Sequence, residues 1–204
     1  MRMRKKKHAG ERIEAIKEYL LDDLNKIDEK QPLHMEIGCG KGAFITQLAA
    51  KNPDINYIAV EKISSVMVLA MEKAAAAQLK NVKFLLGDVV KLADIEKTSF
   101  CDRIYLNFSD PWPRKKHAKR RLTAPQFLDI YKKMLTDGGE IHMKTDNRTL
   151  FEYSLETLPA NGFELNNVTF DLHADNPADN IMTEYEKNFS EQGMPIHRLE
   201  GKLK

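Results

Sequence analysis

Leu33-His34-Met35-Glu36-Ile37-Gly38-Cys39-Gly40-Lys41-Gly42 decides how the chain is read. Residues 33–37 form a short, mostly apolar run that ends at Gly38, as a buried strand does. Downstream, Phe44, Ile45, Leu48 and Ala49 recur at helical spacing until Asn52 and Pro53 stop them. Strand, glycine turn and helix in that order open a parallel α/β unit. Glycine at such a turn lets the backbone come close to a ligand and lets the helix start pack on the strand. A plain tight turn would use the same glycines, so the flanking sequence has to decide.

The alternation continues on both sides. Ile13, Ile16, Leu20, Leu21 and Leu24 predict an amphipathic lead-in helix. Further strands are expected over 55–60, 82–86, 103–108, 140–143, 163–172 and 196–199. Helices are expected over 66–79, 127–135, 149–158 and 181–189, the first of them rich in alanine and in methionines such as Met67 and Met71 that suit a core. Strands joined by crossover helices give an α/β fold: one doubly wound, mostly parallel seven-stranded sheet, Rossmann-like, with an N-terminal helix. We read residues 1–204 as one domain, with 1–30 forming a basic segment and the lead-in helix. Ligands of such a sheet sit at the carboxyl ends of its strands.

The 204 residues, 42% hydrophobic and 30% charged, suffice for one domain with a sizeable core. Cys39 and Cys101 supply neither a disulfide framework nor a four-ligand zinc set, and the histidines lack metal-ligand spacing, so no metal is expected. The longest purely apolar stretch, 66–71, is far below the roughly 18 residues of a membrane span. The basic start runs into Glu11 and Arg12 instead of an apolar signal core. These features predict a cytoplasmic protein with no membrane partner, as a monomer or homodimer.

The net charge of +2 conceals an asymmetry. Arg2, Arg4, Lys5, Lys6 and Lys7 form one acid-free basic run, and Arg114, Lys115, Lys116, Lys119, Arg120 and Arg121 lie in another. Outside these runs, 21 of the 32 basic residues face 30 acidic ones. An acidic body with two concentrated basic patches fits a polyanion-binding protein. Either run taken alone would also suit a solvated tail or loop.

Acids mark the strand ends. Glu36 precedes the first glycine, Glu61 closes the second strand, and Gly87 and Asp88 close the third. Glu61 stands where an acid accepts ribose hydroxyls, about 20 residues past the glycine turn. Asp88 suits an adenine amino group. The turn reads G-x-G-x-G and not the dinucleotide G-x-G-x-x-G, and a carboxylate at Glu36 repels a pyrophosphate but attracts a cationic amino or sulfonium group. S-adenosylmethionine is therefore the expected cofactor, held by Glu36, Gly38, Gly40, Glu61 and Asp88. This set of acids resembles the class I methyltransferases.

The fourth strand leads into Asn107-Phe108-Ser109-Asp110-Pro111-Trp112-Pro113, followed by the second basic run. Two prolines fix the backbone after Asp110, Trp112 offers a flat face, and Lys115, Lys116, His117, Lys119, Arg120 and Arg121 supply RNA contacts. With E-I-G-C-G-K-G at 36–42, D-P-W-P at 110–113, K-T-D-N at 144–147 and T-E-Y-E at 183–186, the chain closely resembles the bacterial tRNA (guanine-N7)-methyltransferase family over nearly its whole length. The resemblance implies methyl transfer to N7 of a guanine in the tRNA variable loop. It further implies tRNA as partner, a cofactor contact at Asp110, and substrate contacts at Arg114, Asp146, Thr183, Glu184, Tyr185 and Glu186; the chemistry itself makes Asp110 the expected catalytic carboxylate, either holding the guanine edge or offsetting the charge that builds on it. Arg114 stands where the family usually has lysine; both are cations, but arginine binds as a planar fork. Two other classes share parts of this pattern: a small-molecule methyltransferase needs no dense basic loop, and a non-catalytic RNA-binding protein needs no acids around a glycine turn.

Overall fold

The computed structural model, described for residues 8–24, 31–94, 96–175 and 180–204, is organised around a seven-stranded sheet. The strands are β1 (Leu33–Ile37), β2 (Asn56–Glu61), β3 (Val82–Leu86), β4 (Cys101–Asn107), β5 (Leu135–Thr145), β6 (Phe163–Thr169) and β7 (His197–Leu203). Their order across the sheet is β3-β2-β1-β4-β5-β7-β6, with β7 antiparallel to both its neighbours and the other contacts parallel. The helices are α1 (Ala9–Glu14), α2 (Ala43–Lys51), α3 (Ser64–Ala76), α4 (Pro125–Met134), α5 (Arg148–Ala160), α6 (Leu172–Asp175) and α7 (Glu184–Ser190).

Side chains alternate along each strand and divide the core in two. Met35, Ile58, Ile104, Leu106 and Ile141 meet Leu128 of α4 and Phe151 of α5 on one face. Tyr57, Ala59 and Phe84 meet Ile45 of α2 and Met67 and Met71 of α3 on the other. Each large side chain removed from water contributes roughly 1.5–3 kcal/mol. His34, Glu36, Asn107, His142 and Lys144 occupy the α2 face where the second cluster stops, and this polar strip ends at the carboxyl edge of the sheet.

The lead-in helix is shorter than its periodicity predicts. α1 stops at Glu14, a 3-10 turn covers Lys17–Tyr19, and Leu20 bridges to Phe84 while Leu21 N–H donates to the Phe84 carbonyl at 2.8 Å. Tyr19 joins the α3 cluster and Leu24 the α4 cluster, on opposite faces of the sheet. One straight helix cannot serve both, so the chain wraps around the β3 edge. α7 starts at Glu184 instead of residue 181 because Thr183 and Glu186 form a reciprocal capping box. β5 begins earlier than expected, its pairing with β4 skipping from Leu135 to Glu140 past Gly138 and Gly139. The basic run before residue 8 lies outside the described residues.

Candidate functional site

The turn after β1 is built for close approach. Gly38 and Cys39 N–H both donate to the Val60 carbonyl, at 2.8 and 3.0 Å. Gly38 and Gly40 adopt positive φ of 80° and 56°, and a Cβ built on either meets nothing within 4 Å. Gly42 also has positive φ, but it packs directly on Ala70 of α3. The expected glycines thus split into two that leave the crevice open and one that seats a helix.

Glu36 is buried, at 3% exposure. Asn107 Nδ2 donates to its Oε1 at 3.0 Å, while Oε2 has no hydrogen-bond partner among the described residues. Burial pushes this carboxyl up to about 7; Asn107 and the Lys144 charge pull it down and Glu61 pushes it further up. A buried carboxylate with a spare oxygen beside an open glycine turn is suited to a cationic group.

Glu61 lies beside the same turn but already accepts two backbone hydrogen bonds, from Gly40 N–H to Oε2 at 3.1 Å and from Ile63 N–H to Oε1 at 2.9 Å. It shapes the turn and retains lone pairs for a hydroxyl. Asp88 is exposed past β3, its Oδ1 accepting from Val90 N–H at 3.1 Å. It opens on a hollow of about 240 Å³ whose apolar lining includes Leu85, Leu86 and Leu92. These residues together offer S-adenosylmethionine a cation partner, an open turn and polar acceptors at successive strand ends, and in that sense they fit it.

Asp110 stands exposed just past β4 and makes no hydrogen bond or ion pair among the described residues. Phe108 and Trp112 on either side have positive φ of 50° and 42°. Non-glycine residues occupy that region only where surroundings hold them. One holder is Arg121, whose Nε donates to the Pro111 carbonyl at 3.0 Å and whose NH2 donates to the Trp112 carbonyl at 3.2 Å. Its guanidinium also lies 4.4 Å over the Tyr153 ring, and the residue is only 5% exposed. This corrects the expectation for Arg121: its donors are turned inward to brace the corner and are not presented to a phosphate. Trp112 is likewise engaged, with the Arg120 guanidinium 4.8 Å over its ring and His117 at its edge.

The rest of the basic run is a 3-10 turn, Lys115–Arg120, with Lys115, Lys116, Lys119 and Arg120 exposed and His117 half-buried. Arg114 caps it and is exposed. Asp146 is half-buried beyond β5, while its neighbour Asn147 caps α5 by accepting from Leu150 N–H at 2.9 Å.

α7 joins these pieces. Glu184 receives Lys41 of the glycine turn at 3.3 Å and Lys73 of α3 at 2.8 Å. Tyr185, 62% exposed, lies nearly parallel to Phe108 and Phe189, with centroids 6.2 and 6.5 Å away. Thr183 and Glu186 differ from the expectation of substrate contact. Both are buried, Thr183 as the helix cap and Glu186 in an ion pair with Lys144 at 2.7 Å. Sequence reading gave no role to Asn107, Phe108 or Lys144; the lysine opening the K-T-D-N segment at a buried strand end was the one available signal.

A family model described as "Putative methyltransferase" matches residues 30–199. The tRNA (guanine-N(7)-)-methyltransferase of Streptococcus pneumoniae is 46% identical over 213 residues, with 100% of both chains covered. The protein of the same name from Macrococcus caseolyticus is 47% identical, over 93% of this chain and 89% of the relative, and that from Clostridioides difficile is 47% identical over 99% of each. Among solved structures, the 16S rRNA methyltransferase KamB matches with a TM-score of 0.64 at 13% identity, covering 94% of this chain and 92% of that one. The [4+2]-cyclase SpnF matches at 0.59 and 16% identity, covering 93% and 79%. Both structural matches bear on the fold alone.

Proposed function

The chain belongs to the tRNA (guanine-N7)-methyltransferase family, and from that premise we propose how its residues divide the work. The enzyme transfers a methyl group from S-adenosylmethionine to N7 of a guanine in tRNA. The guanine we assign is in the variable loop, and the setting is the bacterial cytoplasm. The observation that carries this division is the meeting at one sheet edge of Glu36, whose buried Oε2 has no hydrogen-bond partner among the described residues, and Asp110, two residues past Phe108, whose ring stacks with that of Tyr185.

When bound, S-adenosylmethionine supplies the activated methyl group. Glu36 receives its cationic end, Gly38 and Gly40 leave room for it, and Glu61 and Asp88 accept from its hydroxyl and amino groups. Guanine N7 has a free lone pair and no proton, so no general base has to create the nucleophile, and alignment supplies most of the rate. N7 faces the deep major groove of A-form RNA, so the base has to be presented unstacked. Tyr185, Phe108 and Phe189 form a flat aromatic patch on which such a purine can lie. Asp110 acts on the base, with Arg114 and Asp146 at the rim of the same edge, and the 3-10 turn holds the phosphates.

The direct test is incubation with methyl-labelled cofactor and total tRNA, followed by mapping of the modified base. The expected product is N7-methylguanine in the variable loop; label at N7 elsewhere in tRNA overturns the loop assignment, and label in small amines alone overturns the tRNA reading. A second expectation concerns the basic turn. Lys115→Ala/Lys116→Ala should flatten the log-log salt dependence of tRNA binding by about 1.4–1.8 if both contact phosphates. Cofactor affinity should hardly move, and an equal deletion at Lys5 and Lys6 is the control. Affinities at several salt concentrations check this, and an unchanged slope would assign the RNA to another surface.

A further inference from the structure

Lys144 is the least expected member of the site. It is the penultimate residue of β5, and its side chain is 9% exposed. Its ammonium donates to Glu186 Oε2 at 2.7 Å, Asn180 Oδ1 at 3.0 Å and the Ile181 carbonyl at 2.8 Å. Three acceptors match the three protons of an ammonium; burial pulls the lysine below its usual range and the Glu186 carboxylate opposes that. The Phe44 ring, at the start of α2, lies 5.2 Å away. Glu186 in turn accepts from Asn180 Nδ2 at 2.6 Å and caps α7 with Thr183.

The same lysine belongs to the row that ends at Glu36. Asn107 is the register partner of Lys144 and donates to Glu36 Oε1, so β1, β4 and β5 place carboxylate, amide and ammonium side by side. The groups acting on Glu36 are Asn107 and Lys144, which favour its ionised form, and Glu61 of β2, which opposes it. Cys39 of the glycine turn and Tyr105 of β4 are the other titratable neighbours, and both feel its charge.

We infer that Lys144 is a positioning residue with two attachments: its hydrogen bonds seat α7 over the crevice, and its charge keeps the Glu36 carboxylate in the form that receives a cation. Two acids share one buried cation, so the cofactor end of the site and the helix that meets the RNA base are joined through a single side chain. The inference rests on the assignment of Glu36 to the cofactor's cationic group.

The direction of the pH effect follows from Glu36. Its carboxyl stands at about 7, so S-adenosylmethionine affinity should rise as pH increases through that value and Glu36 ionises. Removing the Lys144 charge raises the midpoint further. The experiment uses the full chain as wild type, Lys144→Met and Lys144→Met/Glu186→Gln. S-adenosylmethionine affinity is measured by calorimetry from about pH 5 to about pH 9, across the span in which a raised carboxyl titrates, with unfolding in urea measured in parallel.

Lys144→Met alone leaves the buried Glu186 carboxylate with only the His173 ring, 3.3 Å away, in place of the ammonium and should destabilise the protein; the double variant removes that charge and should recover stability. Both should keep a binding midpoint about one unit above wild type. That is roughly fivefold weaker cofactor binding at neutral pH. If Lys144 serves only as the partner of Glu186, the double variant returns to the wild-type midpoint together with its stability, and the inference falls. A wild-type midpoint in a folded Lys144→Met protein has the same meaning. Affinities flat across the range in the wild type and in both variants mean that Glu36 stays ionised without Lys144 and overturn the inference alone, as does a pH-dependent wild type with unshifted variants; a Glu36→Gln protein with wild-type affinity overturns the underlying assignment and this inference with it.

Discussion

Asp110→Asn is expected to lower single-turnover methylation of tRNA about a hundredfold, the scale for removing one preorganised electrostatic contact. The substitution keeps the size and hydrogen-bonding reach of the side chain and removes its charge. As the guanine N7 bond to the methyl carbon forms, positive charge builds on the purine, and a fixed carboxylate at its edge offsets that charge more in the transition state than before it. This is the role we propose for Asp110. It stands clear of other hydrogen bonds and ion pairs among the described residues, between two residues held at positive φ, and Arg121 braces the corner from behind. An effect confined to the transition state lowers the rate constant and spares binding, so tRNA affinity should stay within about threefold of wild type. Rapid-mixing methylation and filter binding on one preparation separate the two, and a near-normal rate constant would end the charge-offset role.

Gly42→Ala is expected to cost about 2–5 kcal/mol of stability, the joint effect of a left-handed backbone and an overpacked contact. The new Cβ would lie 2.5 Å from Ala70 Cβ and 2.9 Å from its Cα, at a φ of +76°. Neither Ala70 atom is the end of a flexible side chain, so relief requires α2 to move away from α3. Gly38→Ala separates the two causes, because φ is +80° there but nothing lies within 4 Å; it should cost only the backbone part, about 1–2 kcal/mol. Gly10, inside α1 with open space around it, is the control, where alanine should be neutral or stabilising by up to about 1 kcal/mol. Urea unfolding of the three variants provides the comparison. A Gly42→Ala protein no less stable than Gly38→Ala would mean that the close approach to Ala70 carries no cost.

Much of this architecture was legible because the early strands are short apolar runs ended by glycine or acid. β1 and β3 fall on the predicted residues, and the acids Glu36, Glu61 and Asp88 follow from the rule that ligands meet the carboxyl ends of strands. What periodicity could not give was which face of the sheet a residue joins. Leu20 and Leu24 read as one helical stripe, yet they pack against clusters on opposite faces. Charge runs are similarly mute about direction: Arg121 reads as one more cation beside Arg120, but its planar fork matches two carbonyls of the D-P-W-P corner and turns inward. Lys144 and Glu186, separated by 42 residues, meet only because β7 and α7 return the chain to the β5 edge. No local spacing records such a pairing, and within T-E-Y-E it assigns one glutamate to structure while leaving Tyr185 exposed at the edge.

The position of β7 bears on how the protein is made. This strand is the last of the seven in sequence, yet it lies between β5 and β6, and β6 is joined to the sheet only through it. During synthesis the residues of β1 to β5 can pair as they emerge, because each crossover brings a strand beside one already made. β6 has no such neighbour until residues 197–203 leave the ribosome. β7 therefore completes the sheet, pairing with β5 on one side and with β6 on the other. Lys144 lies on the β5 edge that β7 covers, with Arg198 as its register partner. Without β7, the β5 edge that carries Lys144 is unpaired and β6 has no place in the sheet.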